Sequence, residues 1–166
     1  MKKRILVLHL IGIAAFWLLY DPVLRRLPFQ TALIMILIVA VMSNWRLSLL
    51  WTIILGVLLD SSSITPSGVF LTSLGLVYLT ANFFLWHFLP HDSLYSLLII
   101  LPIGTLIFEF SRLFFSYLLQ VVGLADLVIG FDFWYLLKVL IVNTLVGLLI
   151  FLLLYYSRRL WHKRFI

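Results

Sequence analysis

The sequence predicts an all-α integral membrane protein, with about six transmembrane helices in a single polytopic membrane domain that covers residues 1–166. Composition is the first reason: 64% of the residues are hydrophobic and only 11% are charged, whereas soluble domains carry about 25% charged residues. A soluble fold of this size leaves roughly a third of its chain surface in contact with water, so lipid must solvate most of this surface. The second reason is that apolar runs alternate with short polar turns, as in a chain that crosses a bilayer several times.

These turns bound six predicted spans, at residues 4–20, 28–43, 46–63, 69–89, 94–122 and 133–157. The basic start, Met1-Lys2-Lys3-Arg4, resembles a signal peptide, but the apolar run after it ends in Trp17-Leu18-Leu19-Tyr20 rather than in the small residues of a cleavage site. We therefore expect an uncleaved first helix. Pro28 is a favourable first residue for span two, and Asn44 can cap span three. Both spans have short apolar cores, so one re-entrant hairpin is the alternative to two full crossings.

Polar turns also bound the later spans. A Ser/Thr-rich stretch from Asp60 to Gly68 separates spans three and four, and Pro90-His91-Asp92-Ser93 forms the next turn. Span five is long enough to tilt, and Pro102 and Gly104 are expected to kink it. A loop at residues 123–132 leads to span six, which a basic tail follows.

Positive charge predicts the orientation of the chain. An even number of spans places both termini on one face, together with most of the basic residues: Lys2, Lys3, Arg4, Arg46, Arg158, Arg159, Lys163 and Arg164. The other face holds only Arg25 and Arg26. Because cytoplasmic segments are enriched in lysine and arginine, we expect both termini in the cytoplasm. The net charge of +6 thus indicates topology rather than nucleic-acid binding, for which no aqueous domain is left. The chain contains no cysteine, which excludes disulfides and thiolate metal sites.

Charged residues inside the predicted spans are costly in lipid and are therefore candidates for function. Glu109 and Arg112 are three residues apart in span five, so they share a helix face and can neutralise each other. An internal ion pair that fixes packing is the favoured interpretation, and a partner or ligand site is the alternative. Lys138 lies about 9 Å into span six and can extend its ammonium group to the interface. A pairing of Lys138 with Glu109 or Asp60 stays open.

Asp60 is the most informative single position, because a carboxylate at a helix C-terminus opposes the helix dipole. It ends the apolar run of span three and can accept hydrogen bonds from hydroxyl and amide groups of the turn that follows. Gly56 lets a neighbouring helix approach closely, and Gly68 can supply a special backbone conformation at the start of the next helix. A structural role is favoured for these residues, with a binding surface as the alternative.

The sequence offers no set of residues for catalysis. The cluster of His87, His91 and Asp92 is a weak metal candidate, because Pro90 indicates a turn rather than a shared helix face and no third ligand is placed with the histidines. No nucleophile, base and orienting group can be assembled, and nothing resembles a phosphate-binding loop. We therefore predict a protein that is not an enzyme and that uses no metal or cofactor.

The pattern Gly56-x3-Asp60-x7-Gly68, between two apolar helices, resembles the signature of the MreD family of rod shape-determining membrane proteins. In that family a Gly-x-x-x-Asp ends one helix, a loop of small residues follows, and a Leu-Gly step begins the next helix, where this chain has Ser67-Gly68. Leu27-Pro28-Phe29-Gln30 resembles the family's Arg-Pro-aromatic entry to span two, although Leu27 separates the proline from Arg26. The resemblance is sharpest over residues 28–82.

The resemblance implies a non-enzymatic component of the machinery that elongates the peptidoglycan wall of rod-shaped bacteria. Such a protein lies in the bacterial inner (cytoplasmic) membrane and binds MreC, a single-span protein. Through MreC it connects to MreB, RodA and a penicillin-binding transpeptidase. The family fold is expected to be similar to the substrate-binding subunits of energy-coupling-factor transporters. The candidate structural or partner-binding residues are Gly56, Asp60, Gly68, Glu109, Arg112 and Lys138.

Two other functions stay open. The fold analogy favours a substrate-binding subunit of a small-molecule, vitamin-type transporter, but Gly12, Ala14 and Ala15 do not give the Ala-x-x-x-Ala surface expected in its first span. An intramembrane enzyme ranks last, because it would need an acid–base pair drawn from the few titratable residues of the spans.

Overall fold

The computed structural model describes residues 30–42, 45–63, 68–91, 93–123 and 132–164, with the backbone alone for residues 157–164. All regular secondary structure in these residues is α-helical, as the sequence predicts. The helices, numbered here in chain order, are α1 (Thr31–Met42), α2 (Trp45–Ser62), α3 (Val69–His87), α4 (Leu94–Val121) and α5 (Phe133–Arg164). The predicted first span, residues 4–20, lies outside the described residues, as do Pro28, Arg25, Arg26 and Asp92.

Four of these helices are long and apolar enough to cross a membrane: α2, α3, α4 and the Phe133–Tyr156 part of α5. By contrast, α1 has only 12 residues and is about 18 Å long at 1.5 Å per residue, well short of the roughly 30 Å hydrocarbon core. The described residues therefore show four candidate spans and one short apolar helix, and six spans are not shown. The alternative prediction is one re-entrant hairpin formed by spans two and three. Of the two corresponding helices only α1 is short, because α2 has 18 residues and is a candidate span.

The short helix α1 lies at the centre of the bundle and packs against α2, α3, α4 and α5. Its residues from Ala32 to Val41 are all buried. A helix that is apolar on every side is stable where neighbours cover it all round, which explains why this segment is enclosed. Gly104 of α4 makes room for it, because a Cβ at that position would lie only 2.8 Å from Leu37 Cδ1.

The four longer helices pack in chain order, α2 on α3, α3 on α4 and α4 on α5. Contacts show that neighbouring helices are antiparallel. Asp60 and Trp45 of α2 meet Phe70 and Tyr78 of α3, Phe70 and Val77 of α3 meet Phe108 and Gly104 of α4, and Thr105 and Leu101 of α4 meet Asn143 and Gly147 of α5. One end of the bundle therefore holds the end of α2, the start of α3, the end of α4 and the start of α5; we call it the Asp60 end, and the opposite one the Trp45 end. α4 continues through Pro102 as a single helix of 28 residues. α5 continues past the predicted end at residue 157 to Arg164, so the basic tail begins as helix.

Large apolar side chains cover the outside of the bundle. On α2 they recur at three- and four-residue spacing, which places them on one outward face: Leu50, Ile53, Ile54, Val57 and Leu58. α3 carries a similar exposed row of Leu76, Leu79, Phe83 and Trp86. Soluble monomers rarely expose apolar patches of this extent, whereas lipid solvates them. The surface and the four long helices together fit a multi-pass membrane protein.

Candidate functional site

Asp60, near the C-terminal end of α2, is hydrogen-bonded to the start of α3. Its Oδ1 accepts the backbone N–H of Phe70 at 2.9 Å, and its Oδ2 accepts that of Leu71 at 3.1 Å. The first N–H groups of a helix have no partner inside the helix, and Gly68 before α3 has no side chain that could cap them. Asp60 therefore caps α3 from the neighbouring helix, and its charge lies at the positive end of the α3 dipole.

Gly56 and Gly68 make this contact sterically possible. A Cβ at Gly56, one turn before Asp60, would lie 2.9 Å from Leu71 Cα, so the backbones of α2 and α3 approach closely there, as the sequence predicts. Gly68 has φ of +97°, a conformation that residues with a Cβ rarely adopt. The motif residues thus form one joint, in which Gly56 sets the helix distance, Asp60 makes the hydrogen bonds and Gly68 turns the chain into α3. We call this the α2–α3 joint.

A second polar cluster lies inside the bundle where α1 begins. Asn143 of α5 accepts the backbone N–H of Gln30 through Oδ1 at 2.9 Å. Its Nδ2 donates to Gln30 Oε1 at 3.4 Å and to Thr105 Oγ1 at 3.3 Å. Asn143 and Thr105 are completely buried. Asn143 therefore ties the start of α1 to both α4 and α5.

Glu109, one turn beyond Thr105 on α4, completes this central cluster. Its Oε1 accepts a hydrogen bond from the side-chain amide of Gln30, and its Oε2 accepts one from Arg112 Nη2 at 2.8 Å. The side chain of Glu109 is 4% exposed and that of Arg112 is 21% exposed. A buried carboxylate is tolerated where it is paired and hydrogen-bonded, and here each carboxylate oxygen has a donor. The ion pair expected from the i,i+3 spacing is present, and Gln30 extends it to α1.

The central cluster holds the N-terminus of α1 in the interior of the bundle, since Glu109 lies near the middle of the 28-residue α4. The N-terminus of a helix carries a partial positive charge, which the adjacent carboxylate of Glu109 stabilises. Backbone that is not helical is tolerated at membrane depth only where protein or a water-filled cavity surrounds it. The bonds of Gln30 to α4 and α5 meet this requirement.

Lys138 is separate from both clusters. It is exposed on α5, and no hydrogen bond or ion pair joins it to another of the described residues. It does not pair with Glu109, which binds Arg112 and Gln30, or with Asp60, which binds the start of α3. Its position in the second turn of α5 allows its ammonium group to extend to the interface.

The two predicted histidines also lie outside the clusters. His87 Nδ1 is 3.0 Å from the carbonyl oxygen of Phe83, one turn back on α3, and His91 is exposed in the turn that follows. No group of three His, Cys, Asp or Glu side chains that could hold a metal ion is found in the described part of the chain.

Sequence reasoning missed three members of the central cluster: Gln30, Thr105 and Asn143. Two signals point to them in retrospect. Thr105 precedes Glu109 by four residues and therefore shares its helix face. Asn143 is an amide side chain within an otherwise strongly apolar span, and polar groups in that setting normally have a partner.

A narrow cleft between α3 and α4 is lined in part by Val77, Phe84, Ile100 and Ile103, and it has no room for a water molecule. It therefore offers no space for a ligand between these two helices.

The fold and the two clusters define a class of protein, namely a multi-pass helical membrane protein whose intramembrane polar groups fasten its helices to one another. Comparison of the chain with protein-family models, curated proteins and solved structures finds no match. Function is therefore argued from the residues themselves.

Proposed function

We propose that this chain is a membrane scaffold of the MreD type in the bacterial cell-wall elongation machinery. In this proposal it lies in the inner membrane with both termini in the cytoplasm and binds an MreC-like single-span protein. Through that partner it is linked to MreB, RodA and a penicillin-binding transpeptidase. It thereby helps to maintain rod shape and lateral peptidoglycan synthesis.

The observation that carries this proposal is the α2–α3 joint. The resemblance to the MreD family rests chiefly on Gly56, Asp60 and Gly68, and these residues act at one place, where a carboxylate caps a helix and a glycine admits its backbone. Residues this close along the chain lie near one another in any helical hairpin, but proximity alone does not give one carboxylate two backbone N–H donors or bring a backbone atom within 2.9 Å of a glycine Cβ position. The fact that all three residues act in one contact therefore supports the resemblance to the family.

The bonds of the polar groups within the helices support a scaffold rather than a catalyst. Asp60, Glu109 and Asn143 all bond to neighbouring helices, which holds the bundle together as one unit. Helices associate in lipid through close packing and hydrogen bonds, without a hydrophobic driving force between them. A bundle that keeps its own helices in fixed positions can present its outer faces to the span of a partner.

A substrate-binding subunit of a vitamin-type transporter is the second candidate, and one observation favours it. α1 begins inside the bundle beside Glu109, and transporter sites near the bilayer midplane commonly use helices interrupted in this way. However, Gln30, Arg112 and Asn143 direct hydrogen bonds to one another or to Glu109, which leaves these bonds unavailable to a ligand. We therefore favour the scaffold.

The test is to purify the tagged full-length chain from its own membranes in mild detergent and to identify co-purifying proteins by mass spectrometry. Recovery of an MreC-like protein with wall synthases would support the proposal, whereas recovery of an ATPase with a transmembrane coupling subunit would overturn it in favour of transport. Asp60→Ala should recover less of the partner and disturb rod shape. Gly75→Ala is the matched control on α3, because nothing lies within 4 Å of a Cβ there. Normal cell shape and normal partner recovery with Asp60→Ala, at normal expression, would count against a role of the α2–α3 joint in the scaffold.

A further inference from the structure

We propose that the opening between α2 and α5 is the docking site of a segment of this same chain, residues 4–20, which packs there as a membrane span along α1. Residues 4–20 lie outside the described residues. The inference does not depend on the scaffold function, because it rests on the surfaces that the described helices leave uncovered.

The row of four longer helices does not close into a ring. α2 contacts α3, α3 contacts α4 and α4 contacts α5, but the described residues of α2 and α5 make no contact with each other. The row therefore has two free edges, one along α2 and one along α5. α1 packs against all four helices, and the opening between the two free edges lies beside it.

α1 is nevertheless buried on every side. All residues from Ala32 to Val41 are at most 8% exposed, and this stretch makes nearly three turns of helix, so its side chains point in all directions. Packed helices lie about one helix width apart, and about six rods of equal width fit around a central one. Four neighbours thus leave about a third of the α1 surface uncovered by this geometry, and a further element must cover it.

The free edge of α2 is covered as well. Trp51 precedes Asp60 by nine residues, or about two and a half turns, so it lies on the side of α2 opposite the hydrogen bonds to α3. Its side chain is only 7% exposed. A large side chain at a free edge would keep one face open to lipid unless another element lay against it. The cover therefore extends from α1 over the edge of α2.

The cover comes from this chain itself, because α1 and Trp51 are buried within a single copy of the protein. Apart from residues 1–29, the segments outside the described residues have at most eight residues each and join two helices or follow α5. α1 is about 18 Å long, so only residues 1–29 are long enough to lie along it. Within them, residues 4–20 contain the long apolar run that the sequence predicts as the first span.

The position of α1 is compatible with this placement. α1 starts beside Glu109 and ends at Met42, just before α2 begins at Trp45, so it lies in the half of the bundle towards the Trp45 end. Glu109 is about 18 Å from the end of α4 at 1.5 Å per residue. Residues 21–29 reach about 30 Å when extended, so they can connect a first span that ends at the Asp60 end with Gln30.

The test is disulfide formation between paired cysteines in the full-length chain, which has no cysteine of its own. A cysteine at each of residues 5–12 in turn samples every side of the first span near the Trp45 end, since successive helical residues turn by about 100°. Each is paired with Leu47→Cys, about one turn before Trp51 on the free edge of α2. Leu49→Cys is the matched control, because Leu49 precedes Gly56 by seven residues and lies on the side of α2 that faces α3. Both leucines are partly buried.

On mild oxidation in detergent, we expect at least one pair with Leu47→Cys to form an intramolecular disulfide, which requires Cβ atoms about 3.5–4.5 Å apart. The pairs with Leu49→Cys should form none. Absence of the disulfide from every pair with Leu47→Cys, or equal yields with Leu49→Cys, would overturn the proposal. Non-reducing gels separate the intramolecular product from a disulfide-linked dimer of twice the mass. Circular dichroism of each variant confirms that the helices of the chain are intact.

Discussion

The carboxylate of Asp60 accepts the backbone N–H of Phe70 at 2.9 Å, so the end of one membrane helix caps the start of the next. A carboxylate at the C-terminus of its own helix is unfavourable, because it lies at the negative end of that helix dipole. Its second hydrogen bond, to the N–H of Leu71, places it at the positive end of α3 and offsets this cost. The charge that ends an otherwise apolar span is thus explained by the helix beside it.

Replacement of Asp60 should therefore weaken the joint in a graded way. Asp60→Ala leaves the first N–H groups of α3 without an acceptor and should lower the free energy of unfolding by about 1–2 kcal/mol. Asp60→Asn keeps one acceptor oxygen, so its free energy of unfolding should lie between those of Asp60→Ala and the native chain. Thermal unfolding in detergent, followed by circular dichroism, measures this order. Ser61→Ala is the control, because its exposed hydroxyl bonds only to the carbonyl of Leu58 in the same helix. An Asp60→Ala variant as stable as the native chain would argue against capping.

Two glycines on adjacent helices should respond in opposite ways to alanine. At Gly56 the new Cβ would meet Leu71 Cα at 2.9 Å, so α2 and α3 must separate, and we expect a loss of about 1–3 kcal/mol. At Gly75 nothing lies within 4 Å, and alanine is the better helix former by about 1 kcal/mol, so stability should hold or rise. The comparison of the two unfolding temperatures checks the close approach. Equal effects at both positions would contradict it.

Removal of Arg112 alone should destabilise the chain more than removal of both members of its ion pair. Arg112→Gln leaves the carboxylate of Glu109, which is 4% exposed, as an unpaired buried charge, at a cost of about 3–5 kcal/mol. The double variant Glu109→Gln/Arg112→Gln removes both charges and keeps an amide that can bond to Gln30. A double-mutant cycle on unfolding free energies measures the coupling. Additive effects would mean that the pair does not contribute as a pair.

Loss of Asn143 should release the start of α1. Asn143→Ala removes the acceptor of the Gln30 N–H and the donor to Thr105, and the unpaired buried groups should cost about 1–3 kcal/mol. Hydrogen exchange should then speed up first in the opening turn of α1. Thr144→Ala is the neighbouring control, because its hydroxyl bonds only to the carbonyl of Leu140 in its own helix. Unchanged exchange in α1 after Asn143→Ala would show that another contact holds this helix.

The α2–α3 joint was largely predictable because its residues lie close together along the chain. Gly56 and Asp60 fall one turn apart on one helix, Gly68 follows across a single turn, and each has an unusual property for a membrane segment. The pair of Glu109 and Arg112 was predictable for the same reason, since helix geometry alone brings residues three apart together. Gln30 and Asn143 are 113 residues apart, and no local spacing relates them.

The sequence by itself determined that lipid surrounds this chain and that its backbone forms helices, because apolar runs of this length exclude water and a chain in lipid must bond its own backbone groups. Only the tertiary structure decided that Thr31–Met42 is a short helix buried among the four longer ones. The sequence of an apolar helix has the same pattern whether lipid or protein covers the helix. What decides between them is how many neighbours pack around the helix, and those neighbours come from distant parts of the chain.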